Sequence, residues 1–450
     1  MVDKLRVAII GAGISGLSCA YALRKESSLE ITLFEKASYI GGHSNTIPFT
    51  PKGSSQSFPI DTGFLVFNEW TYPGLIAFFK ELNVPVAKSE MSFSVSLKKK
   101  NGRRLEWAGN NLSTLFAQRQ NLLNPSFLRM LYDIVRFNQA GKKMCQAQTD
   151  HPDDSKQLES VGEFLARKQF SAPFRNWYLL PMIGAIWSCS LTDMMHFPIQ
   201  TLMQFCNNHG LLNIINRPQW MTVAGGSKEY VHRTIQSLQE HGVCIEMAKV
   251  LSCSRVSESG NDPITIELMT GEKRTFDKVV FACHTDETLQ ILQTPSSDEI
   301  SILGAIAYKN NTAYVHEDRQ LLPILEEVWA AWNYTCEDLY DSGIDQSPAV
   351  CVHYLINKLQ PLPDQASLVP VIVSLNPQIK PDQDKVHQCI EYSHPILNQD
   401  AILAQKKLPK IQGVNNSYFC GAWTRYGFHE DGFQSGLTAA NAVMDSITAI

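Results

Sequence analysis

Three glycines near the start of the chain, Gly11, Gly13 and Gly16, have the spacing G-x-G-x-x-G. In this pattern the first glycine permits a tight turn, the second lets the backbone approach a pyrophosphate, and the third lets a helix pack closely on a strand. Ile14 and Ser15 lie within this motif as further candidate cofactor contacts, and the N-terminus of the helix that follows carries partial positive charge toward phosphates. The spacing predicts a dinucleotide-binding site, and a purely structural glycine turn is the alternative.

An acidic residue follows at the distance that a ribose site requires. Glu35 ends the next apolar segment, 19 residues after Gly16, and Lys36 comes directly after it. A carboxylate at this place can accept hydrogen bonds from both ribose hydroxyls and would repel a phosphate on the ribose. We therefore expect Glu35 and Lys36 beside the ribose of an unphosphorylated dinucleotide.

A second glycine pair, Gly41 and Gly42, follows Glu35 by six residues and leads into His43. A simple NAD domain does not need this pair, whereas the pyrophosphate and ribityl chain of an extended FAD pass over such a loop. The pair favours FAD over NAD, with a plain glycine turn as the alternative. His43 is a candidate ligand of the phosphates or the flavin.

Apolar segments place these residues at the ends of buried strands. Residues 5–10 and 30–34 are predicted as parallel-type strands, with a helix over 17–25 between them. A further buried strand is expected over 277–282. A last strand over 417–420 precedes a glycine-punctuated turn and a helix over 435–447.

The rest of the chain predicts alternating helical and strand segments. Asn101-Gly102 is a hairpin dipeptide between strands 91–97 and 104–107, and the Pro/Gly/Ser-rich stretch 48–59 reads as a surface loop. The other expected elements are helical segments over 112–144 (broken at Pro125), 161–170, 177–187, 198–208 and 228–240, and strands near 221 and over 243–251 and 264–268.

These motifs resemble those of the flavin-containing amine oxidoreductases, a family that includes amine and polyamine oxidases, protoporphyrinogen oxidase and the carotenoid desaturases and isomerases. Segments 223–226, 249–250 and 277–282 are similar to its central motifs, and 421–436 is similar to its closing flavin motif. The resemblance implies bound FAD, with further cofactor contacts from Val250, Gly421, Gly432, Phe433, Gln434 and Ser435.

The resemblance also implies the fold. We expect an α/β protein in which a Rossmann-like FAD-binding domain is combined with a discontinuous α+β substrate-binding domain. Residues 1–90, 216–290 and 405–450 would form the FAD-binding domain. Residues 91–215 and 291–404 would form the substrate-binding domain.

One bacterial branch is more similar still, that of predicted NAD/FAD-binding proteins associated with cyclopropane-fatty-acid synthase. Segments 40–46, 61–68 and 419–424 carry this similarity. It implies an acyl-lipid substrate and a lipid methyltransferase as a candidate partner.

The chain departs from the amine oxidases at three places. His43 stands where they usually carry arginine, and Ala422 where they usually carry glutamate. The closing turn from Gly432 to Gly436 lacks the cysteine that binds flavin covalently in some members. We therefore expect non-covalent FAD, and the resemblance does not by itself imply an amine substrate.

No Ser-His-Asp arrangement and no metal-ligand spacing is found, so the expected chemistry is hydride transfer from a substrate C–H bond to flavin N5. Candidates for the walls of the reaction site are Trp187 (with Ser188 and Cys189), Trp423, Tyr426 and His429. Core packing is the alternative for Trp187. For His429 and its acidic neighbours Glu430 and Asp431 the alternative is helix capping and loop solvation.

Composition excludes several other classes of protein. The net charge is −5, which argues against a nucleic-acid binder. Eleven cysteines without a C-x-x-C pair predict neither a disulfide framework nor a zinc site. We find no signal peptide and no apolar run that could span a membrane, and we expect a cytoplasmic protein.

One segment is strongly basic. Between Lys98 and Lys143 ten basic residues face only Glu106 and Asp133, which gives +8 within a chain of net charge −5. Apolar residues interleave with these charges at helical spacing, as in helices that lie on anionic membranes. The segment predicts peripheral contact with the inner face of the membrane, and a solvated face of a helical domain is the alternative.

Three functions stay open at this point. The first is dehydrogenation or isomerisation of an unsaturated or methylated acyl chain. The second is oxidation of an amine with O₂, which would produce peroxide. The third is a flavin-binding partner that supports a lipid methyltransferase without redox turnover.

Overall fold

The computed structural model describes residues 4–99, 101–150, 159–187, 191–213, 215–255, 263–337, 351–364 and 369–448. A five-stranded, fully parallel sheet carries the N-terminal motifs, in the order β10-β2-β1-β14-β20. Its strands are β1 (Leu5–Ile10), β2 (Leu29–Phe34), β10 (Cys244–Glu246), β14 (Lys278–Phe281) and β20 (Ser417–Phe419).

Both faces of this sheet are covered. Val7 and Ile9 of β1 belong to one apolar core, while Ala8 and Ile10 belong to another on the opposite face. A parallel sheet covered on both faces needs continuous apolar strands, which explains the uninterrupted run over 5–10.

The layer on the first face contains helices α1 (Ile14–Leu23), α10 (Lys228–Glu240) and α15 (His429–Thr448), with α2 (Pro73–Glu81) against α15. The layer on the second face contains a small antiparallel sheet and two helices. They are β11 (Val250–Ser254), β12 (Ile264–Leu268), β13 (Lys273–Phe276), α11 (Thr285–Ile291) and α12 (Ser297–Leu303).

A second large sheet has seven strands in the order β19-β15-β18-β17-β16-β7-β8 and is antiparallel except between β7 and β16. Its strands are β7 (Phe93–Lys98), β8 (Arg104–Ala108), β15 (Ala307–His316), β16 (Trp332–Glu337), β17 (Val352–Leu355), β18 (Ile372–Leu375) and β19 (Val386–Ile396).

Helices pack on one end of this second sheet around an aromatic-rich core. They are α3 (Leu112–Leu115), α4 (Pro125–Asp150), α5 (Val161–Arg167), α6 (Ala172–Phe174), α7 (Leu180–Trp187), α8 (Leu191–His196) and α9 (Ile199–Asn208). Pro125 is the first residue of α4, where its missing N–H costs nothing, so the expected break in the helical pattern is confirmed.

Shorter elements complete the described chain. They are β3 (Thr46–Phe49) paired with β4 (Phe58–Asp61), the sheet of β5 (Phe67–Asn68), β9 (Trp220–Val223) and β6 (Val86–Lys88), and helices α13 (Ile356–Leu359) and α14 (Gln399–Lys407). No helix among the described residues combines the length and the apolarity needed to cross a membrane.

The α/β fold class predicted from the sequence is confirmed by the parallel sheet and its covering helices. The five domain segments stay a proposal. Consistent with it, the strands of the parallel sheet come from 1–90, 216–290 and 405–450, and those of the seven-stranded sheet from 91–215 and 291–404.

Two local predictions are wrong. The stretch 48–59 is not a surface loop at its ends, because β3 and β4 pair there and bury Phe49 and Phe58. Pro48 and Pro59 lie opposite each other in this two-stranded sheet, which tolerates prolines that a central strand would exclude. The single strand expected over 243–251 is two strands, β10 and β11, which belong to different sheets.

Candidate active site

A cavity of about 750 Å³ lies at the carboxyl end of the parallel sheet. Residues that follow four of its strands line the wall: Gly11 after β1, Glu35 after β2, Ala282 after β14 and Gly421 after β20. Ligands of open α/β sheets bind outside the carboxyl ends of the strands. The fold therefore brings the predicted nucleotide motifs to one site.

The three glycines of the first motif have different tasks. A Cβ atom at Gly16 would lie 1.9 Å from the carbonyl oxygen of Gly11, and one at Gly11 would lie 2.8 Å from that of Ala282. A Cβ atom at Gly13 would meet no atom of the described residues within 4 Å. Gly13, Ile14 and Ser15 line the cavity and Gly16 does not. The backbone at Gly13 and the start of α1 are thus open to a ligand.

Glu35 is buried and held by the backbone, since one carboxylate oxygen accepts a hydrogen bond from the N–H of Ala12 and the other from that of Ala37, both at 2.8 Å. A carboxylate oxygen can accept a second bond, so Glu35 retains capacity toward a ribose. Lys36 also lines the cavity, and its ammonium group is paired with Glu287.

Val250, the strand valine expected near the adenine, begins β11 and is buried. It lines the cavity together with Ala248 and Lys249. This wall and Glu35 belong to the same cavity, as an adenosine moiety would require.

The second glycine pair abuts the first motif. Gly41 donates its N–H to the carbonyl oxygen of Ala12 at 3.0 Å, and a Cβ at Gly42 would lie 3.2 Å from the Cα atom of Gly13. Both have positive φ, +129° for Gly41 and +59° for Gly42. Gly42 lines the cavity, whereas Gly41 positions the loop behind it.

His43 is a neutral wall of the cavity. Its ring stacks on Tyr392 at 5.1 Å, and Nε2 is buried without a partner among the described residues. Burial, with His394, His284 and His429 nearby, keeps its pKa well below the usual value. His43 can thus offer a hydrogen bond at the place where an arginine would offer charge.

The closing segment is a helix where a turn was expected. Helix α15 begins at His429 rather than at Ser435. Gly432 and Gly436 lie inside it, and their Cβ atoms would come within 2.7 Å of Ile14 and 2.1 Å of Ser18. These glycines let α15 lie against α1; they do not form a turn.

The predicted cofactor residues of this segment mostly lie behind the wall. Gly421 lines the cavity and donates its N–H to the Ser435 hydroxyl at 2.9 Å. Phe433 packs on Phe78 in the core, and the Gln434 amide donates to Glu430 at 2.8 Å. Gly432, Phe433, Gln434 and Ser435 therefore position the wall from outside it.

Glu430 and Asp431 have capping roles. Glu430 accepts hydrogen bonds from the N–H groups of Gly74 and Leu75, at 2.9 and 2.8 Å, and so caps the start of α2. Asp431 accepts the N–H of Phe428 at 3.0 Å. Burial raises the pKa of Asp431 to about 6.

His429 instead lines the cavity. Its ring stacks on Phe64 at 3.8 Å, and Nε2 lies 2.9 Å from the Ser44 hydroxyl and 2.8 Å from that of Tyr230. Burial lowers the pKa of His429 to about 3, so the ring is neutral.

The other end of the cavity is aromatic. Trp187, Trp423 and Tyr426 all line the cavity, and the Trp187 indole donates to the carbonyl oxygen of Tyr426 at 3.2 Å. Ser188 and Cys189 lie outside the described residues. The rings that form what we call the aromatic end are Tyr72, Trp187, Phe205, His209, Trp220, Tyr426 and Phe428.

Five of these seven rings were missed by sequence reasoning. Phe205 and His209 are four residues apart at the end of α9, which places them on one helical face, and their rings stack at 3.9 Å. That spacing is a detectable signal. The approach of Phe428 to Phe205, at 5.0 Å, joins segments more than 200 residues apart and leaves no local trace.

The described residues fit FAD. Gly13 leaves its surroundings open, the start of α1 faces the cavity, and the orphaned Nε2 of His43 offers a hydrogen-bonding atom. Glu35 supplies a carboxylate at the other end of the glycine turn. With this set of groups, the phosphates would meet backbone N–H groups at the start of α1 and the neutral ring of His43.

A family model for flavin-containing amine oxidoreductases matches residues 14–345, more than half of the chain. No curated protein matches significantly.

Solved structures with this fold cover almost the whole chain at low identity. A fatty acid isomerase from P. acnes that produces CLA matches with TM-score 0.65 and 14% identity, covering 98% of both chains. A putrescine oxidase bound to putrescine matches with TM-score 0.65 and 14% identity, covering 98% of this chain and 99% of its own. A reduced UDP-galactopyranose mutase matches with TM-score 0.62 and 15% identity, covering 99% and 95%.

Proposed function

The chain belongs to the family of flavin-containing amine oxidoreductases, and we propose that it acts on an unsaturated or methylated acyl chain rather than on an amine. As a member of that family it is an oxidoreductase with FAD as cofactor. The single observation that supports the acyl chain is that no carboxylate of the described residues lines the aromatic end; the nearby carboxylates of Asp431 and Glu430 lie behind its wall and are bound to backbone N–H groups.

The residues that would hold FAD are those that line the cavity around the glycine turns, namely Gly11, Gly13, Ile14, Ser15, Glu35, Gly42, His43, Val250 and Gly421. The chemistry that bound FAD supplies is acceptance of a hydride from a substrate C–H bond at flavin N5. The side chains of the aromatic end would orient the reacting carbon chain and exclude water.

The charges around the cavity argue against a cationic substrate. Its acidic residues are Glu35, Asp286, Glu287 and Glu391. Glu35 lies at the glycine turn, where its carboxylate binds the N–H of Ala12. Glu287 pairs with Lys36, the residue after Glu35, and Asp286 precedes Glu287 in α11. Glu391 is exposed and accepts a hydrogen bond from Thr312 on β15.

The histidines of the cavity are neutral because burial disfavours their charged form. Burial lowers the pKa of His209 and of His394 to about 4, and that of His429 to about 3. A buried ammonium group without a counter-charge is costly, whereas an alkene or alkyl chain pays no such penalty. Because the fatty acid isomerase and the putrescine oxidase have the same TM-score, site charge is the better guide to substrate class.

Anaerobic bleaching of the flavin tests the proposal. Unsaturated and methylated acyl chains, presented as free acids and in phospholipid, should bleach the bound flavin or be isomerised, and aliphatic amines should do neither. Rapid bleaching by an amine, with peroxide formed in air, would favour amine oxidation instead. If no substrate bleaches or reacts, while flavin removal abolishes the activity of a lipid methyltransferase, the non-redox partner role is favoured.

We also propose that the protein docks on anionic membranes through the segment 98–143, at the residues just before α4 and on α4 itself. Exposed apolar side chains gather there: Leu122 (47% exposed), Leu123 (88%), Leu128 (44%), Tyr132 (59%) and Val135 (41%). Leu128, Tyr132 and Val135 lie at positions i, i+4 and i+7 and so share one face of α4. Apolar groups beside basic ones suit a lipid interface.

The basic residues of this surface are of two kinds. Arg129 and Arg136 both bind the fully buried carboxylate of Asp133, at 3.1 and 2.6 Å, so their first role is structural. Lys142 and Lys143 are exposed, and Lys143 lines a cleft of about 490 Å³ with Arg136, Arg167 and Lys168. Lys100 of this segment lies outside the described residues.

Vesicle co-sedimentation tests docking. Each basic residue near an anionic surface contributes roughly 1 kcal/mol, so Lys142→Glu/Lys143→Glu should weaken binding to anionic vesicles, and Leu123→Ser should weaken it independently of salt. Charge reversal at Arg129 or Arg136 is not used, because it would leave the buried carboxylate of Asp133 without one of its ion-pair partners. Equal, negligible binding of the wild-type protein to anionic and neutral vesicles would refute docking.

A further inference from the structure

Two polar groups at the aromatic end have no partner in the described chain. The side chains of Tyr72 and His209 are 3% and 7% exposed, and both line the cavity. Their ring centroids are 6.4 Å apart at an angle of 82°. Among the described residues, no hydrogen bond is formed by the Tyr72 hydroxyl, and the side chain of His209 is bonded only through Nδ1, so both groups are left to whatever occupies the cavity. Buried polar groups are normally satisfied, so a ligand is the natural partner for both.

The protonation of His209 follows from its backbone contact. Nδ1 lies 3.0 Å from the carbonyl oxygen of Phe205, which can only accept, so Nδ1 carries the proton. Burial lowers the pKa of His209 to about 4, and the ring is therefore neutral. Nε2 then has a lone pair and no proton, which makes it an acceptor.

Tyr72 has the opposite character. Burial, together with the nearby carboxylates of Asp431 and Glu430, raises the pKa of its phenol far above the ordinary value. Tyr72 therefore keeps its proton and can donate it. The residues that carry this donor and this acceptor line the same cavity, with the ring of Phe205 3.9 Å from that of His209.

We infer that the aromatic end binds a neutral hydroxyl group on an apolar ligand, which accepts a hydrogen bond from Tyr72 and donates one to Nε2 of His209. This rests on the proposed function, because it assumes that substrate enters this end of the cavity. The inference narrows the proposed substrate class from any unsaturated or methylated acyl chain to an apolar chain that carries a hydroxyl or an enol group.

Ether, ester, carboxylate and ammonium groups each leave either the Tyr72 proton or Nε2 of His209 without a hydrogen bond. An ether or ester oxygen accepts from Tyr72 but leaves Nε2 of His209 unpaired. A carboxylate also only accepts and brings a charge into an apolar site. An ammonium group only donates and leaves the Tyr72 proton unpaired.

Calorimetric titration of the FAD-loaded protein with matched probes tests the inference. Octanol and heptyl methyl ether are isomers with the same number of heavy atoms, and only octanol can donate. Loss of one hydrogen bond corresponds to a roughly fivefold to tenfold weaker affinity. We expect octanol to bind tighter than the ether by that factor, and tighter than octanoate or octylamine.

Two variants separate the partners. His209→Phe keeps a ring in place and should weaken octanol without weakening the ether, since only octanol uses Nε2. Tyr72→Phe should weaken both probes by a similar factor, since both accept from the phenol. Tyr418→Phe is the matched control, because that buried hydroxyl donates to Ser446 outside the cavity.

The outcomes distinguish this inference from the proposed function. Equal affinities of octanol and the ether for the wild-type protein would overturn the inference while leaving an apolar substrate site in place. The same holds if octanol is unaffected by His209→Phe in a protein that keeps its FAD. If neither octanol nor the ether binds, both the hydroxyl site and the proposed acyl-chain function are overturned. If octylamine binds most tightly, the cavity is an amine site instead.

Discussion

Replacing Gly13 by valine separates ligand binding from folding. Within the part of the chain that the structure describes, a Cβ atom at Gly13 meets nothing within 4 Å, and the φ of Gly13, −75°, is available to any residue. The added side chain would occupy space that the cavity leaves for the cofactor. The variant should therefore fold and fail to bind FAD, whereas Gly16→Val should misfold, because its Cβ would lie 1.9 Å from the Gly11 carbonyl oxygen.

The expected magnitudes differ clearly. Without a clash, Gly13→Val should change the free energy of unfolding of the flavin-free protein by less than about 1 kcal/mol. A ligand at a hundred times its Kd stabilises the folded state by about 2.7 kcal/mol. Added FAD should therefore raise the Tm of the wild-type protein by roughly 3 °C and leave that of Gly13→Val unchanged.

Thermal unfolding with and without FAD, and the flavin absorbance of the purified protein, give the result. Gly109→Val is the control, since Gly109 is exposed, lies outside the cavity and has its nearest neighbour at 3.9 Å. A soluble Gly13→Val protein with wild-type flavin content would refute the reasoning and leave the motif with a structural role alone.

Three further outcomes are expected. Acid precipitation should release FAD into a yellow supernatant, because the closing segment has no cysteine for a covalent bond; flavin retained in the pellet would show such a bond. Glu430→Ala removes the acceptor for two N–H groups of α2 and should lower the free energy of unfolding by about 1–2 kcal/mol in urea, while a change below about 0.3 kcal/mol would exclude the capping role. The pKa of His429 is about 3 in the folded chain against an ordinary 6.5, so the unfolded chain takes the proton first and stability falls as pH drops below 6.5. In flavin-free protein His429→Gln should make this fall shallower by about 1.4 kcal/mol per pH unit, measured by urea unfolding, and an unchanged slope would contradict it.

Local signals predicted the nucleotide end of the site well. The apolar run of β1, the glycine spacing and Glu35 each depend on near neighbours in the chain, and the structure places them as a turn between a strand and a helix. Gly432 and Gly436 were misread for a physical reason. Glycine serves both turns and close helix packing, and the partner that decides between these, α1, lies more than 400 residues away in the chain.

The features of the site that could not be predicted from the sequence depend on contacts between residues far apart in the chain. Glu430 caps a helix 356 residues earlier in the chain, which no local pattern shows. Tyr72 and His209 come from different elements and meet only when α9 packs beside the closing segment. Trp187 and Tyr426 could be named as candidates, but their contact needed the fold.

A crystal structure of the FAD-loaded protein tests the central claim most directly, namely that a single cavity joins a flavin site to an uncharged aromatic substrate end. The account predicts density for FAD along Gly13, Glu35, Gly42 and Gly421, with open space left beside Phe205. FAD bound outside this cavity, or FAD that fills the aromatic end and leaves no room for a substrate, would contradict it.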